Sequence, residues 1–217
     1  MTAELWDSRY SHPNYLFGYR PNDFLKAQAR LLRPGSRVLC LGDGEGRNGV
    51  WLAERGHSVV SLDFSGVALA KAEALAAERG VSIETRQVDL AQWVDDPDPP
   101  RPWDAVVVIF VHLRPELRQR VAQAVTRQSA PGAALILENY TPAQLALGTG
   151  GPKQPELLTT REDVLADWQG WHLDVRLVER RIFEGMGHQG LSSVVQALGL
   201  RTGPEVDPVA STGHRVG

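Results

Sequence analysis

The chain predicts a doubly wound α/β fold: a mostly parallel seven-stranded sheet with helices on both faces and an antiparallel terminal hairpin. Three observations carry this prediction. The run Val38-Leu39-Cys40-Leu41 is apolar without alternation and ends in a glycine loop that opens a helix, as a buried central parallel strand does. Short apolar runs then alternate with helical stretches closed by Gly56 and Gly80, the pattern of right-handed βαβ units. Near the end two strand-like runs, His172 to Phe183 and Leu191 to Leu200, are separated only by a glycine-rich turn, which makes a hairpin.

The elements follow in order. Five of the fifteen aromatics, Trp6, Tyr10, Tyr15, Phe17 and Tyr19, precede any strand. They either pack on a sheet edge or form a lid that keeps water from a ligand. Asn22 caps a helix over Asp23 to Leu32, ended by Pro34-Gly35. After the first strand, Arg47 to Arg55 is helical. Ser58 to Asp63 is the second strand, and Ser65 caps an alanine-rich helix to about Arg79. The third strand lies within Val81 to Leu90. Asp95 to Pro100 is a surface loop by its prolines and charges. Ala105 to Val111 is a fourth strand buried on both faces, and Pro115 starts the next helix, with Leu117, Val121 and Val125 facing the core. Pro131-Gly132 turns into the fifth strand, Ala133 to Tyr140. Thr141 to Leu158 is a long irregular connection of the kind that is functional or mobile. Thr160 and Asp163 form a capping box for a helix to about Trp168. A single domain over residues 1–201 is expected, its first 35 residues forming the aromatic segment and first helix, with a frayed tail at 202–217.

Composition narrows the function classes. The 217 residues carry a net charge of −3 with dispersed Lys and Arg, which argues against a nucleic-acid footprint. The Arg180-Arg181 pair suits an exposed strand face or local salt bridges. Ala105 to Val111 is far too short to span a membrane. The opening MTAELWDSRY has no apolar signal core, so the cytoplasm is the expected location. The lone Cys40 agrees with that and reads as a small buried hydrophobe. The histidines show no metal-ligand spacing, and no metal is expected.

Gly42, Gly44 and Gly46 bring backbone N–H groups close to a ligand at a strand's carboxyl end. Two cofactor classes use such loops. Gly44-Glu45-Gly46-Arg47-Asn48-Gly49 matches the G-x-G-x-x-G dinucleotide pattern, and Asp63 ends the next strand where a ribose-binding acid belongs. Counted from Gly42, however, Arg47 falls on the third glycine position. Asp43 and Glu45 would also repel a pyrophosphate by roughly 1–4 kcal/mol each at surface-like dielectrics. A cationic sulfonium would be attracted, so charge favours S-adenosylmethionine over NAD.

The segment Val38 to Asn48 resembles the glycine motif of the class I S-adenosylmethionine-dependent methyltransferases, usually V-L-D-L-G-x-G-x-G-R-N. Asp63-Phe64-Ser65, Val88-Asp89-Leu90 and Trp103 to Val107 are similar to the family's later motifs. The G-E-G-R-N form, the opening Trp6-Asp7-Ser8-Arg9-Tyr10 and the late Glu184-Gly185-Met186-Gly187-His188-Gln189-Gly190 look most like the tellurite-resistance and thiopurine-type small-molecule branch. Cys40 stands where the family usually has an acid, a loss that Asp43 or Glu45 would compensate.

The resemblance implies a Rossmann-like sheet, S-adenosylmethionine as cofactor and a role for each matched residue. Gly42 and Gly44 admit the methionine moiety, with Asp43 beside them, while Arg47 and Asn48 close the loop, meet the carboxylate or remain surface groups. Asp63 accepts both ribose hydroxyls. Phe64 stacks on adenine or packs in the core. Asp89 accepts from the adenine amino group, with the Leu90 N–H beside it, and Phe110 to His112 end the fourth strand near the methyl position. His188 is the first candidate for a base or an anion-binding group, His112 the second, and Arg20 would pair with an anionic acceptor; each also has a purely structural reading. The implied acceptor is a small molecule, a thiol or a chalcogen oxyanion. An NAD-dependent oxidoreductase and a non-catalytic S-adenosylmethionine-binding protein are the alternatives, and the oligomeric state is not legible.

Overall fold

The computed structural model describes residues 3–96 and 101–203. Seven strands form one sheet: β1 (Arg37–Leu41), β2 (Ser58–Asp63), β3 (Glu84–Gln87), β4 (Trp103–Ile109), β5 (Ser129–Tyr140), β6 (Trp171–Glu184) and β7 (His188–Arg201). Their order is β3-β2-β1-β4-β5-β7-β6, with the first five parallel and β7 antiparallel to both its neighbours. The order reverses at β1, so the carboxyl ends of β1 and β4 open a crevice at the point where α/β sheets bind ligands.

β1 and β4 are central because their side chains are apolar on both faces. Leu39, Val106 and Leu135 pack into one cluster, and Val38, Val107 and Ile136 into another on the opposite face. Burial of a Val or Leu side chain contributes about 1.5–3 kcal/mol. That offsets the about 1–2 kcal/mol of backbone entropy lost by each ordered residue.

Helices α1 (Ala3–Tyr10), α2 (Asp23–Gln28), α3 (Arg47–Ala53), α4 (Gly66–Glu78), α5 (Leu90–Trp93), α6 (Pro115–Gln128), α7 (Gln144–Leu147) and α8 (Arg161–Asp167) connect or cover the strands. Expected caps form. Asn22 accepts from the Leu25 N–H and Ser65 from the Ala68 N–H, Pro115 opens α6, and Thr160 and Asp163 make a reciprocal capping box.

Several boundaries differ from the sequence reading, each for a local reason. β4 stops at Ile109 because Phe110 turns to φ +56°, a left-handed conformation that costs a non-glycine residue and occurs at functional sites. β3 shrinks to four residues because Asp89 leaves the strand to cap α5. The helix begun at Asp23 ends at Gln28 and tightens into a 3₁₀ turn over Ala29–Leu31. The hairpin turn contracts from seven residues to Gly185–Gly187, since Glu184 pairs with His188 across the ladder. β7 lies inside β6, leaving β6 as the edge. Residues 141–158 are tied down instead of loose: the Gln144 side chain accepts from the Ser193 N–H and donates to Thr149 Oγ1 and the Gly150 carbonyl. Part of the expected surface loop, 97–100, and nearly all of the expected tail, 204–217, lie outside the described residues.

Candidate active site

The loop after β1 holds Gly42, Gly44 and Gly46 at φ +54°, +57° and +82°. All three meet close neighbours, the tightest at Gly46, where a Cβ would stand 2.6 Å from Ala72 Cβ. A Cβ on Gly42 would stand 3.1 Å from Val111 Cγ2, and one on Gly44 would stand 2.9 Å from the Tyr10 hydroxyl. Asp63 closes this loop from β2: its Oδ2 accepts the Gly44 N–H and its Oδ1 the Ser65 N–H, both at 2.9 Å. Burial pushes its carboxyl up from the ordinary aspartate range, and the backbone donors oppose that push.

The other two acids of the loop do not serve the ligand as the charge argument expected. Asp43 turns inward, accepting from Ser61 Oγ at 2.7 Å and from the Gly49 N–H, and its burial pushes its pKa to about 7. Glu45 pairs with Lys71 at 2.5 Å and accepts the Leu16 N–H at 2.7 Å. Burial thus holds one carboxylate toward its neutral form and the other is ion-paired, so both pull on a sulfonium less than the charge argument expected. Asp63 is the remaining carboxylate at the loop. Nor do Asp43 and Glu45 replace a strand acid at Cys40, whose side chain is buried in the core.

The N-terminal aromatics resolve into a strap. Lys71 of α4 donates to the carbonyls of Tyr10, His12 and Asn14, and Asp7 accepts from Ser65 Oγ at 2.5 Å. Trp6 and Tyr10 stack at 5.3 Å, and Phe17 lies 6.3 and 6.4 Å from them. Tyr10 is buried over Gly44, whereas Tyr19 stays exposed.

Beyond the strap, aromatic rings from four segments converge. Phe110 lies 4.6 Å from Tyr140 and 4.5 Å from His188, His188 4.5 Å from Phe17, and His112 is stacked on Tyr140 at 5.7 Å. Two imidazole nitrogens here, His112 Nε2 and His188 Nδ1, are buried without hydrogen-bond partners. Burial lowers the His188 pKa well below its ordinary value and that of His112 to about 4, so both rings are neutral at pH 7. A neutral imidazole with a free nitrogen can accept a proton.

Of the residues singled out in the sequence, the fold brings Gly42, Gly44, Asp63, Arg47, Phe110, His112 and His188 to the carboxyl ends of the central strands. Arg47 pairs with Glu184 at 2.6 Å, and its Nη1 is buried and unpartnered. Asn48 closes the loop, its Oδ1 accepting the Asn22 N–H at 2.9 Å. Phe64, directly after Asp63, is half-buried and belongs to none of the hydrophobic clusters. Asp89 is exposed and caps α5 through Oδ1, while Leu90 packs against the core. Arg20 is not brought in: it is exposed, without an ion pair among the described residues. Tyr10 and Phe17 come from the aromatic segment read as a lid or an edge packing, while Tyr140 and Glu184 join without having been assigned roles; only the E-G-x-x-H-x-G segment signalled Glu184.

This set fits S-adenosylmethionine. A glycine cradle, a carboxylate at the end of β2 and an unpaired buried guanidinium nitrogen suit its amino-acid and ribose parts. Among the described residues no cluster of His, Cys, Asp or Glu is arranged to hold a metal ion. No described helix is long and apolar enough to cross a membrane.

Residues 38–132 match the family model described as a methyltransferase domain. The chain is 35% identical over 136 residues to a 2-heptyl-1-hydroxyquinolin-4(1H)-one methyltransferase of Mycobacteroides abscessus. That match covers 60% of this chain and 58% of the curated relative's length. Three solved structures share the fold. One, from work on the conversion of a disulfide bond into a thioacetal group during echinomycin biosynthesis, has a TM-score of 0.74 at 19% identity, covering 99% of this chain and 100% of that one. The N-methyltransferase NodS of Bradyrhizobium japonicum, in complex with S-adenosyl-L-homocysteine, has a TM-score of 0.70 at 13% identity, covering 92% and 97%. TehB of Haemophilus influenzae has a TM-score of 0.62 at 18% identity, covering 83% and 62%. Residues 38–132 thus resemble a methyltransferase domain, and the chain as a whole shares the fold of these three structures.

Proposed function

We propose that this chain, with its methyltransferase domain at residues 38–132, is an S-adenosylmethionine-dependent methyltransferase that acts on a small planar aromatic acceptor bearing a hydroxyl group. One observation carries the acceptor class. The rings of Phe17, Tyr140, His112 and His188 gather around the strained Phe110, and two neutral imidazole nitrogens among them are without hydrogen-bond partners. Aromatic walls favour a planar ring, and a free imidazole nitrogen suits a hydroxyl proton. The relative named for a hydroxyquinolone supports the same class.

S-adenosylmethionine supplies the electrophilic methyl group when bound. The chain's part is to align and to exclude water. Asp63 holds the ribose hydroxyls, Arg47 Nη1 meets the carboxylate and Phe64 covers the adenine. His188 Nδ1 takes the acceptor's proton, while Tyr10 and Phe17 keep solvent from the reacting atoms.

A thiol or a chalcogen oxyanion, the class implied by the family resemblance, is the competing reading. It has weaker support here, because Arg20 is exposed, Arg180 is paired with Glu138, and the free nitrogen of Arg47 is assigned above to the cofactor carboxylate. A methyl-transfer panel of 1-hydroxyquinolones, hydroxyquinolines, aryl and alkyl thiols, selenite and tellurite separates them. Turnover of the hydroxylated heteroaromatics is expected; turnover confined to thiols or oxyanions overturns the acceptor class. Tight NADH binding without S-adenosylhomocysteine binding would overturn the activity itself.

A further inference from the structure

The segment Glu184-Gly185-Met186-Gly187-His188 does more than carry a histidine. Glu184, 6% exposed, ends β6 with both carboxylate oxygens engaged. Oε2 pairs with Arg47 Nη2 at 2.6 Å, while Oε1 accepts from Asn22 Nδ2 at 3.0 Å and Arg180 Nη2 at 3.1 Å. Two residues on, the Met186 and Gly187 N–H groups donate to the Leu16 carbonyl at 2.9 and 3.2 Å. Leu16 returns its own N–H to Glu45 at 2.7 Å. Between these links Gly185 takes φ +64°, and a Cβ there would collide with the backbone of Leu16 and Phe17.

These contacts make a closed circuit. The hairpin tip reaches the glycine loop directly, through Glu184 and Arg47, and again through the strap, from Met186 by way of Leu16 to Glu45. Arg47 and Glu45 are two residues apart, on the loop that cradles the cofactor. Phe17, one residue beyond Leu16, and His188, four beyond Glu184, meet ring to ring at 4.5 Å. That contact therefore forms only when strap and hairpin are both seated on the loop.

Resting on the methyltransferase reading above, we propose that Glu184 is a positioning residue: through Arg47 and the strap it couples occupancy of the glycine loop to the placement of His188 and Phe17. Because such coupling is reciprocal, loosening the hairpin weakens cofactor binding as well as acceptor alignment.

The test uses the full chain with S-adenosylhomocysteine as probe, calorimetry for affinity and residue-resolved amide exchange for order. In the wild type, saturating probe slows exchange at Leu16, Met186 and Gly187. Glu184→Gln removes the charge of the direct link, and Gly185→Ala leaves Glu184 and Arg47 paired while driving the strap off the tip. Each is expected to weaken probe binding about tenfold. In each, the slowing at those three amides is lost at saturating probe while exchange in the central strands is unchanged. If Glu184→Gln does not fold, Gly185→Ala alone decides. Wild-type affinity with intact probe-dependent slowing in the folded variants overturns the coupling. A wild-type chain that ignores the probe overturns the methyltransferase reading instead.

Discussion

Asp63 accepts the backbone N–H of Gly44 at 2.9 Å, so the carboxylate that ends β2 is bonded to the loop that leaves β1. A carboxylate oxygen has lone pairs for more than one donor, so this bond holds the loop's shape and leaves capacity for a ribose hydroxyl.

Asp63→Ala leaves the buried Gly44 and Ser65 N–H groups without acceptors and removes the ribose partner. Losing a buried acceptor costs about 1–3 kcal/mol. The expected result is a 10- to 100-fold weaker affinity for S-adenosylhomocysteine, to first order. Calorimetry checks it, and an unchanged dissociation constant would take Asp63 out of the cofactor site.

Gly44→Ala is expected to be worse than its size suggests. The residue sits at φ +57°, where a Cβ costs roughly 1–2 kcal/mol, and the Tyr10 hydroxyl stands 2.9 Å from the position of that Cβ. Adding Tyr10→Ala in the same chain relieves the clash but not the backbone strain, so thermal stability returns only in part. Full recovery would mean that the left-handed conformation carries no cost here.

Asp43 makes stability fall as pH rises. Its pKa is pushed up to about 7 by burial, above the ordinary aspartate value, so the folded chain holds a proton there that the unfolded chain has released. Stability from this group is complete below about pH 4 and is lost as pH rises through about 7, by up to about 4 kcal/mol. Asp43→Asn removes that slope, measurable as the difference between variant and wild-type denaturation midpoints across the window.

His112 acts in the opposite sense. With a folded pKa of about 4 it is neutral where the unfolded imidazole is charged, so it contributes stability above about pH 6.5 that is lost as pH falls toward 4. His112→Gln flattens this acid limb in the same denaturation series.

His188 is expected to show itself in rate. His188→Gln lowers single-turnover methylation by about 10²- to 10⁴-fold if it takes the acceptor's proton. Because burial lowers its pKa, the wild-type rate keeps its imidazole base active below the pH at which a free histidine would protonate. A normal single-turnover rate in the variant removes the residue from the reaction.

The central part of the molecule was legible in the chain because its signals are local. Val38 to Leu41, the glycines that follow, Asn22, Ser65 and the Thr160–Asp163 box each state their conformation through neighbours a few residues away. Ends of elements were less legible where a single residue overrode its surroundings, as Phe110 does by turning to φ +56° and Asp89 by capping a helix.

The sequence by itself determined the succession of the seven strands and of the helices α2, α3, α4, α6 and α8, the glycine cradle and the acid at the end of β2, but not α1, α5 or α7, since hydrophobic period, capping and turn chemistry act over short stretches of chain. Which charges face the ligand was decided only by the tertiary structure. Glu45 is neutralised by Lys71 and Asp43 is turned to Ser61, pairings across 26 and 18 positions that no local pattern encodes. The aromatic cluster arose in the same way, from Phe17, Phe110, Tyr140 and His188 on four separate segments. Side chains that meet through the fold acquire their protonation and their partners from that packing, and packing is a property of the whole chain.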